Sequence, residues 1–330
     1  MHYSFGRMPL GRHFSGKLLA AVVVVSSLVS CAVVEPPHGD DAERLRKTAE
    51  LIAQVKAFEK TLGIEPTNAL AQTTRERPAL SMLWFWLQRM GTLALRAPID
   101  VHLAIGFSTV KERLGLERVY RVDSYSVYFR QGNEFADGRS VATLKFADED
   151  VVRKVSVIFH EDLHGDVNFA LPWATEEAIV TPVGSLAAVN FFKHERDGAD
   201  LRRAQALLEE DRDLSRELNG LVREAQRLFA GGRLESAREQ VLALMGKYPI
   251  YERHFRRDIA GQNALTALEA KLSHDLAYFR YFDAIVSLSE KAPDLGTLIA
   301  DLKQLPGSTD APGLGAYIEE LDRKYALPAQ

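Results

Sequence analysis

The sequence predicts a mainly α protein with a small antiparallel β-hairpin, an α+β arrangement, and three observations carry that prediction. Apolar residues recur at helical spacing through 41–62 and, apart from one proline break, through most of the chain after Asp148. Two segments, 123–131 and 140–147, are instead rich in Tyr, Val and Phe or alternate apolar with polar residues. Between them stand Gly132, Asn133, Asp137 and Gly138, which are turn residues.

Taken in order, Leu45, Ala49, Ile52, Val55, Phe58 and Leu62 form one face of the first helix, which Gly63 and Pro66 close. Residues 79–95, including Met82, Leu83, Trp84, Phe85 and Trp86, are apolar nearly all round and read as a buried helix. The hairpin follows. Asp148 then caps a helix with Glu149 and Asp150 in its first turn, where the dipole favours acid, and Gly165 ends it in the left-handed conformation. After Pro172 a second helical segment begins at Ala174. Residues 201–245 read as a helical hairpin around Gly231-Gly232, residues 260–289 as another long helical segment, and residues 306–312 as a loop.

A chain of 330 residues can bury one large core or two modest ones. Its net charge of -4, with acids and bases interspersed, calls for no nucleic acid and no anionic surface as partner. The single cysteine excludes an internal disulfide framework and a cysteine-rich metal site, so His must supply any nitrogen ligand.

The amino terminus reads as an address. Arg7, Arg12 and Lys17 precede a charge-free apolar run over 18–29, the pattern of an export signal. The run is shorter than the roughly 20 residues a spanning helix needs. Leu28-Val29-Ser30-Cys31 resembles the lipobox of bacterial lipoproteins, which implies cleavage before Cys31 and acylation of its thiol. Ala32 in the next position implies, by the same resemblance, the periplasmic face of the outer membrane. Residues 1–30 are then the signal peptide and 31–41 a tether containing two prolines and Gly39. Residues 42–330 form the remaining domain.

The chemistry-bearing stretch is Val157-Ile158-Phe159-His160-Glu161-Asp162-Leu163-His164. His160 and His164, four apart on a helix, project from one face and suit two nitrogen positions of a zinc ion. Glu161 is placed to take a proton from an activated water. A third ligand is needed, and the segment Ala174-Thr175-Glu176-Glu177-Ala178 offers a carboxylate if the two helices pack antiparallel. Gly184, Ala187 and Ala188 allow that close approach. Glu177 is favoured, because Thr181 and Gly184 leave its face lightly occupied; Glu176 is the alternate. Asp166 follows His164 too closely. Asp162 either faces solvent or orders the ligands from behind.

The run from Val157 to His164 resembles the zinc helix of the bacterial predicted aminopeptidases, a gluzincin-like HExxH family. Glu176-Glu177-Ala178-Ile179-Val180-Thr181 takes the place of that family's Asn-Glu-Ser-Phe-Ala-Thr segment, which implies Glu177 as the third ligand. Gly261-Gln262-Asn263-Ala264-Leu265, followed by Tyr278, Phe279 and Phe282, is similar to its Asn-Asn-Ala segment and aromatic helix. The resemblance implies a zincin-like packing of the HExxH helix on the Glu-bearing helix, Zn2+ as cofactor, and hydrolysis of a peptide or protein substrate. The zinc core would span about 120–195 and a helical carboxy-terminal part about 196–330. Tyr125, Tyr128, Tyr251 and His254 are candidates to stabilise an oxyanion. An exposed edge over 140–146 would take a peptide by strand addition. Asn263 either joins the site or bonds a helix end. A non-catalytic envelope module and a hydrolase of cell-wall peptides are the competing expectations.

Overall fold

Helix α1 (Gly39–Glu59) bears out the first periodic stretch, burying Leu45, Ile52 and Val55. A 3-10 turn at Lys60–Leu62 ends on Gly63 at φ +71°, a left-handed position that glycine adopts without strain. The computed structural model describes residues 39–74, 83–93, 125–131, 141–166 and 171–326. All of these lie in one unit, His38–Gln330. The signal pattern, Cys31, residues 31–38 and the turn residues 132–140 lie outside the described residues. No helix among the described residues is long and apolar enough to cross a membrane.

The strands are β1 (Gln72–Thr73), β2 (Leu83–Arg89), β3 (Tyr125–Gln131) and β4 (Val141–Ala142). They form two two-stranded sheets: β1 parallel to β4, and β2 antiparallel to β3 in the register Leu83↔Gln131 to Arg89↔Tyr125. Two expectations are corrected here. Residues 83–89 are strand, not buried helix. Trp86, Leu87 and Gln88 are all under 9% exposed, although successive strand residues face opposite sides. A strand buried on both faces loses its alternation and looks like a buried helix. The expected hairpin is also absent. Tyr125–Gln131 pairs with β2, and among the described residues 141–147 only Val141–Ala142 is extended. Helix α2 (Leu144–Asp148) takes over from there, with Thr143 accepting a hydrogen bond from the Phe146 amide at 3.2 Å.

The proposed peptide edge goes with the hairpin, since Ala142 and Phe146 are fully buried. The outer edge of β3 is occupied by a side chain. The Phe129 amide donates to Gln262 Oε1 at 2.8 Å, and Gln262 Nε2 donates to the Phe129 carbonyl at 2.9 Å. Gln262 thus bonds Phe129 as a neighbouring strand would.

Helix α3 (Val151–Gly165) is capped by Asp150, whose Oδ1 accepts from the Val152 amide at 3.0 Å. Asp148 is not its cap; it ends α2 and pairs with Arg44. Gly165 does not turn left-handed either. It remains helical, and a Cβ there would lie 2.5 Å from Thr67 Cγ2, so its smallness serves packing. Helix α4 (Trp173–Glu195) starts after Pro172. Helices α5 (Gly198–Gly231) and α6 (Leu234–Leu244) make the hairpin expected around Gly231-Gly232. After α7 (Pro249–Asp258), the long segment over 260–289 divides into α8 (Ala264–Phe279) and α9 (Phe282–Lys291). Asn263 caps α8, accepting from the Thr266 amide at 3.0 Å. Helices α10 (Leu295–Leu302) and α11 (Ala311–Ala326) follow, so the expected loop ends at Asp310.

Two apolar clusters organise these elements. The first gathers Val55, Phe159, Ile179, Phe282 and Leu298 from α1, α3, α4, α9 and α10. The second gathers Trp86, Tyr128, Leu218, Val241, Tyr251 and Leu272 from β2, β3 and α5 to α8. Most of α4 lies in the first, but Trp173 at its amino terminus packs against the second. The start of α4 therefore stands at the seam between the two cores.

The second core also contains charge. Lys271 is fully buried, donates to Asp275 and lies 3.0 Å from Asp258 Oδ2, while the Tyr251 hydroxyl donates to Asp275 Oδ2 at 2.8 Å. Removing one member of a buried ion pair strands its partner. Lys271→Met is expected to destabilise the fold by about 3–5 kcal/mol, read from urea unfolding. A midpoint equal to that of the wild type would show the pair to be dispensable.

Candidate metal centre

The antiparallel packing of α3 on α4 brings three side chains together. His160 and His164 lie on one face of α3 because four residues make about one turn. Gly184 lets the backbones approach: a Cβ there would lie 3.1 Å from the Ser156 carbonyl oxygen and 3.5 Å from His160 Cβ. This close passage aims Glu177, buried on α4, at the two rings. His160 Nε2 and His164 Nε2 are 3.1 Å apart. Glu177 Oε2 is 3.4 Å from the first, and Oε1 is 3.5 Å from the second. These three residues form a group that can hold a metal ion.

The fit is specific enough to test against bond lengths. A tetrahedral zinc with bonds of about 2.0–2.1 Å spaces its ligand atoms about 3.3–3.4 Å apart. The two Nε2 atoms are 3.1 Å apart, and each faces a different oxygen of Glu177, at 3.4 and 3.5 Å, so the groups converge at distances close to that spacing. The charge of the pocket agrees with the distances. Burial alone would lower the pKa of the His164 ring, but its bonds to Glu176 and Glu177 push it up to about 10. Positive charge between these groups is strongly favoured.

Glu176 has a different place from Glu177. Its Oε1 sits 2.9 Å from His164 Nδ1. A carboxylate only accepts hydrogen bonds, so Nδ1 carries a hydrogen toward Glu176, and Nε2, facing Glu177 and His160, is the atom that would bind a metal ion in place of its own proton. Carboxylates behind a ligating His commonly fix its tautomer and raise its basicity. Glu176→Ala is expected to weaken metal binding by about 10–100-fold in a chelator-competition titration. Unchanged affinity would remove Glu176 from the centre.

Glu161 follows His160 on α3. Burial pushes its carboxyl up to about 7; His164 and Arg153 oppose that shift, while Glu177 and Asp162 add to it. Asp162 does not face solvent. It is fully buried, pairs with Lys56, and accepts from the Thr67 amide at 3.2 Å and from the Thr67 hydroxyl. It therefore ties α3 to α1 and to the loop after it. Beside it, burial and the neighbouring Asp162 carboxylate push Glu59 up to about 9, against the pull of Lys56, so Glu59 is protonated at neutral pH. Asp166 is drawn away from the histidines: it pairs with Lys303 and accepts from the Glu65 amide at 3.4 Å.

The four oxyanion candidates are placed elsewhere or in other bonds. Tyr251 donates to Asp275, and His254 Nε2 lies 3.1 Å from Lys271 Nζ. Tyr128 is buried in the second core, and Tyr125 pairs opposite Arg89 at one end of β3. A second group that can hold a metal ion comprises His254, Asp258 and Asp275. Here the chain supplies its own cation. Burial works against ionisation of Asp275, yet Lys271 and His254 hold its carboxyl well below the usual range.

The sequence reading passed over Lys56, Glu59, Thr67, Lys271, His274 and Asp275. One signal was available: Lys271 and Asp275 are four apart within an otherwise largely apolar helix, the spacing of a helical ion pair. No protein-family model, curated protein or solved structure matches this chain. Its class therefore rests on fold and site: a mainly helical protein with small sheets and a buried His–His–Glu group able to take a metal ion.

Proposed function

We propose that this protein is a zinc-dependent hydrolase of peptide bonds, held at a bacterial envelope by lipid on Cys31. The observation that carries the reading is the convergence of His160, His164 and Glu177: the two Nε2 atoms are 3.1 Å apart, and each lies 3.4–3.5 Å from a different oxygen of the one carboxylate. Both rings and the carboxylate are donors suited to zinc, and an ion held by these three residues would have room for a water or substrate atom as well. The packing of the HExxH helix on a Glu-bearing helix agrees with a zincin-like core. Peptide as substrate class, and aminopeptidase action within it, rest on the resemblance of 157–164 and 176–181 to the bacterial predicted aminopeptidases.

When bound, the ion activates water and polarises a carbonyl. The protein residues do the rest. His160, His164 and Glu177 hold the charge in place, and Glu176 keeps the His164 ring turned toward it. Glu161 accepts a proton on its carboxylate from the attacking water and returns it to the departing amine. Asp162, anchored by Lys56 and Thr67, keeps this end of α3 from rotating. The test is hydrolysis of a fluorogenic peptide panel by the purified protein, before and after a chelator and after zinc is added back. Turnover that is lost and then restored is expected. Turnover indifferent to chelation would overturn the zinc reading, and a zinc-loaded protein inert on every peptide would overturn the substrate class.

A further inference from the structure

The back of α3, away from the metal centre, is held by buried acids. Asp162 stands two residues from each histidine of the HExxH motif, so its side chain leaves the helix on the far side from theirs. There it is fully buried and accepts from Lys56, from the Thr67 hydroxyl and from the Thr67 amide at 3.2 Å. Those donors come from α1 and from the loop that follows it. Lys56 also donates to the Thr67 carbonyl at 3.1 Å, and Thr67 Oγ1 accepts from the Ala69 amide at 2.9 Å, so the clasp is closed on itself.

A second acid, Glu59, reaches the same place from the last turn of α1. It is fully buried, and neither of its carboxyl oxygens has a hydrogen-bond donor. Asp162 lies within hydrogen-bonding reach of it. Lys56 from its own helix and Asp162 from α3 are the charged groups that act on it, so one ammonium faces two carboxyl groups. Two buried carboxylates in contact would repel, and one of them without a donor would bear its full desolvation cost. A proton on Glu59 removes both penalties. Its O–H then donates to Asp162 and fills the last of the about four acceptor positions a carboxylate offers. The rise of the Glu59 carboxyl to about 9, driven by burial and by Asp162, agrees with that arrangement.

We propose that Glu59 is a positioning residue of the metal centre, acting through Asp162: its carboxylic acid donates the hydrogen bond that completes the clasp and fixes the turn of α3 carrying His160 and His164. The inference deepens the zinc-hydrolase reading and rests on it. The acid serves by its proton and not by its charge. An amide of the same shape can therefore replace it, and an apolar chain of similar length cannot.

The test compares wild type, Glu59→Gln and Glu59→Met as full chains. Zinc affinity is read by chelator competition at neutral pH, and urea unfolding is followed, with chelator present, between about pH 5 and 8. Glu59→Gln is expected to bind zinc as wild type does, and Glu59→Met about tenfold more weakly or worse, as for groups behind a ligand. The urea series follows the proton. Unfolded, Glu59 releases it near 4.5; folded, it keeps it to about 9. The stabilisation is complete below the lower value and is lost as pH rises toward the upper one, whereas Gln takes up no proton. The folding equilibrium of wild type is therefore expected to fall relative to Glu59→Gln by about tenfold per pH unit, other titrating groups being common to both. Midpoints that run parallel would show that Glu59 carries no proton and overturn the proposal, even if Glu59→Met does not fold. Wild-type zinc affinity in a folded Glu59→Met would overturn it too. A wild-type chain that takes up no zinc would overturn the metal reading and this role with it, whereas failure of the urea series alone leaves that reading standing.

Discussion

Purified wild-type protein is expected to hold one zinc per chain and His160→Ala none, measured by metal analysis after dialysis against a weak chelator. His160 supplies one corner of a triangle whose other members are only His164 and Glu177. The truncated site keeps two of its donors, His164 and Glu177. Asp166, the nearest carboxylate in sequence after His164, is committed to Lys303, and Asp162 to Lys56 and Thr67. The loss should therefore exceed the roughly 10–100-fold that removal of a residue behind a ligand costs. The ring of His160 is only partly buried, so the fold should tolerate alanine. Zinc retained at full stoichiometry by a folded His160→Ala would end the assignment.

Glu161→Gln is expected to keep the metal and lose the chemistry. The amide has the size of the carboxylate but cannot accept the proton, and a positioned general base contributes about 10²–10⁴-fold. Peptide turnover should fall within that range while zinc content stays at wild-type level. Burial pushes the Glu161 carboxyl up to about 7, so above that pH the native site holds an ionised group at a desolvation cost. A neutral amide removes that cost, and the metal-free variant should unfold at no lower urea concentration than wild type. Stability and activity then separate, a pattern expected where catalytic groups are held in unfavourable surroundings. Turnover within tenfold of wild type would leave Glu161 with no catalytic role.

The candidate site was more legible than the sheet. His160 and His164 needed only a helix between them, and the i, i+4 rule then placed both rings on one face. Glu177 was accessible for a related reason: a short connection and a line of small residues implied an antiparallel neighbour. The strands failed where local pattern and burial diverge. Residues 83–89 are apolar because both faces of β2 are covered, which no periodicity within the segment reveals. The hairpin failed because adjacency in sequence is only a guide to pairing, and β3 found β2 rather than β4. Asp148 and Gly165 carried plausible capping chemistry, but contacts from Arg44 and Thr67 gave each a different task.

Read alone, the chain determined what depends on neighbours a few residues away: helical faces, the spacing of two imidazoles, and an acid beside them. The tertiary structure decided what depends on residues far apart. It turned Glu177 rather than Glu176 toward both rings, buried Asp162 against Lys56 and Thr67, and set His274 on a platform of Asp275, Lys271 and Tyr251. The physical reason is one of range. Backbone periodicity acts over a single helical turn and is written into the local sequence. The orientation of a charged group depends on which distant chain segment arrives to solvate it once water is gone.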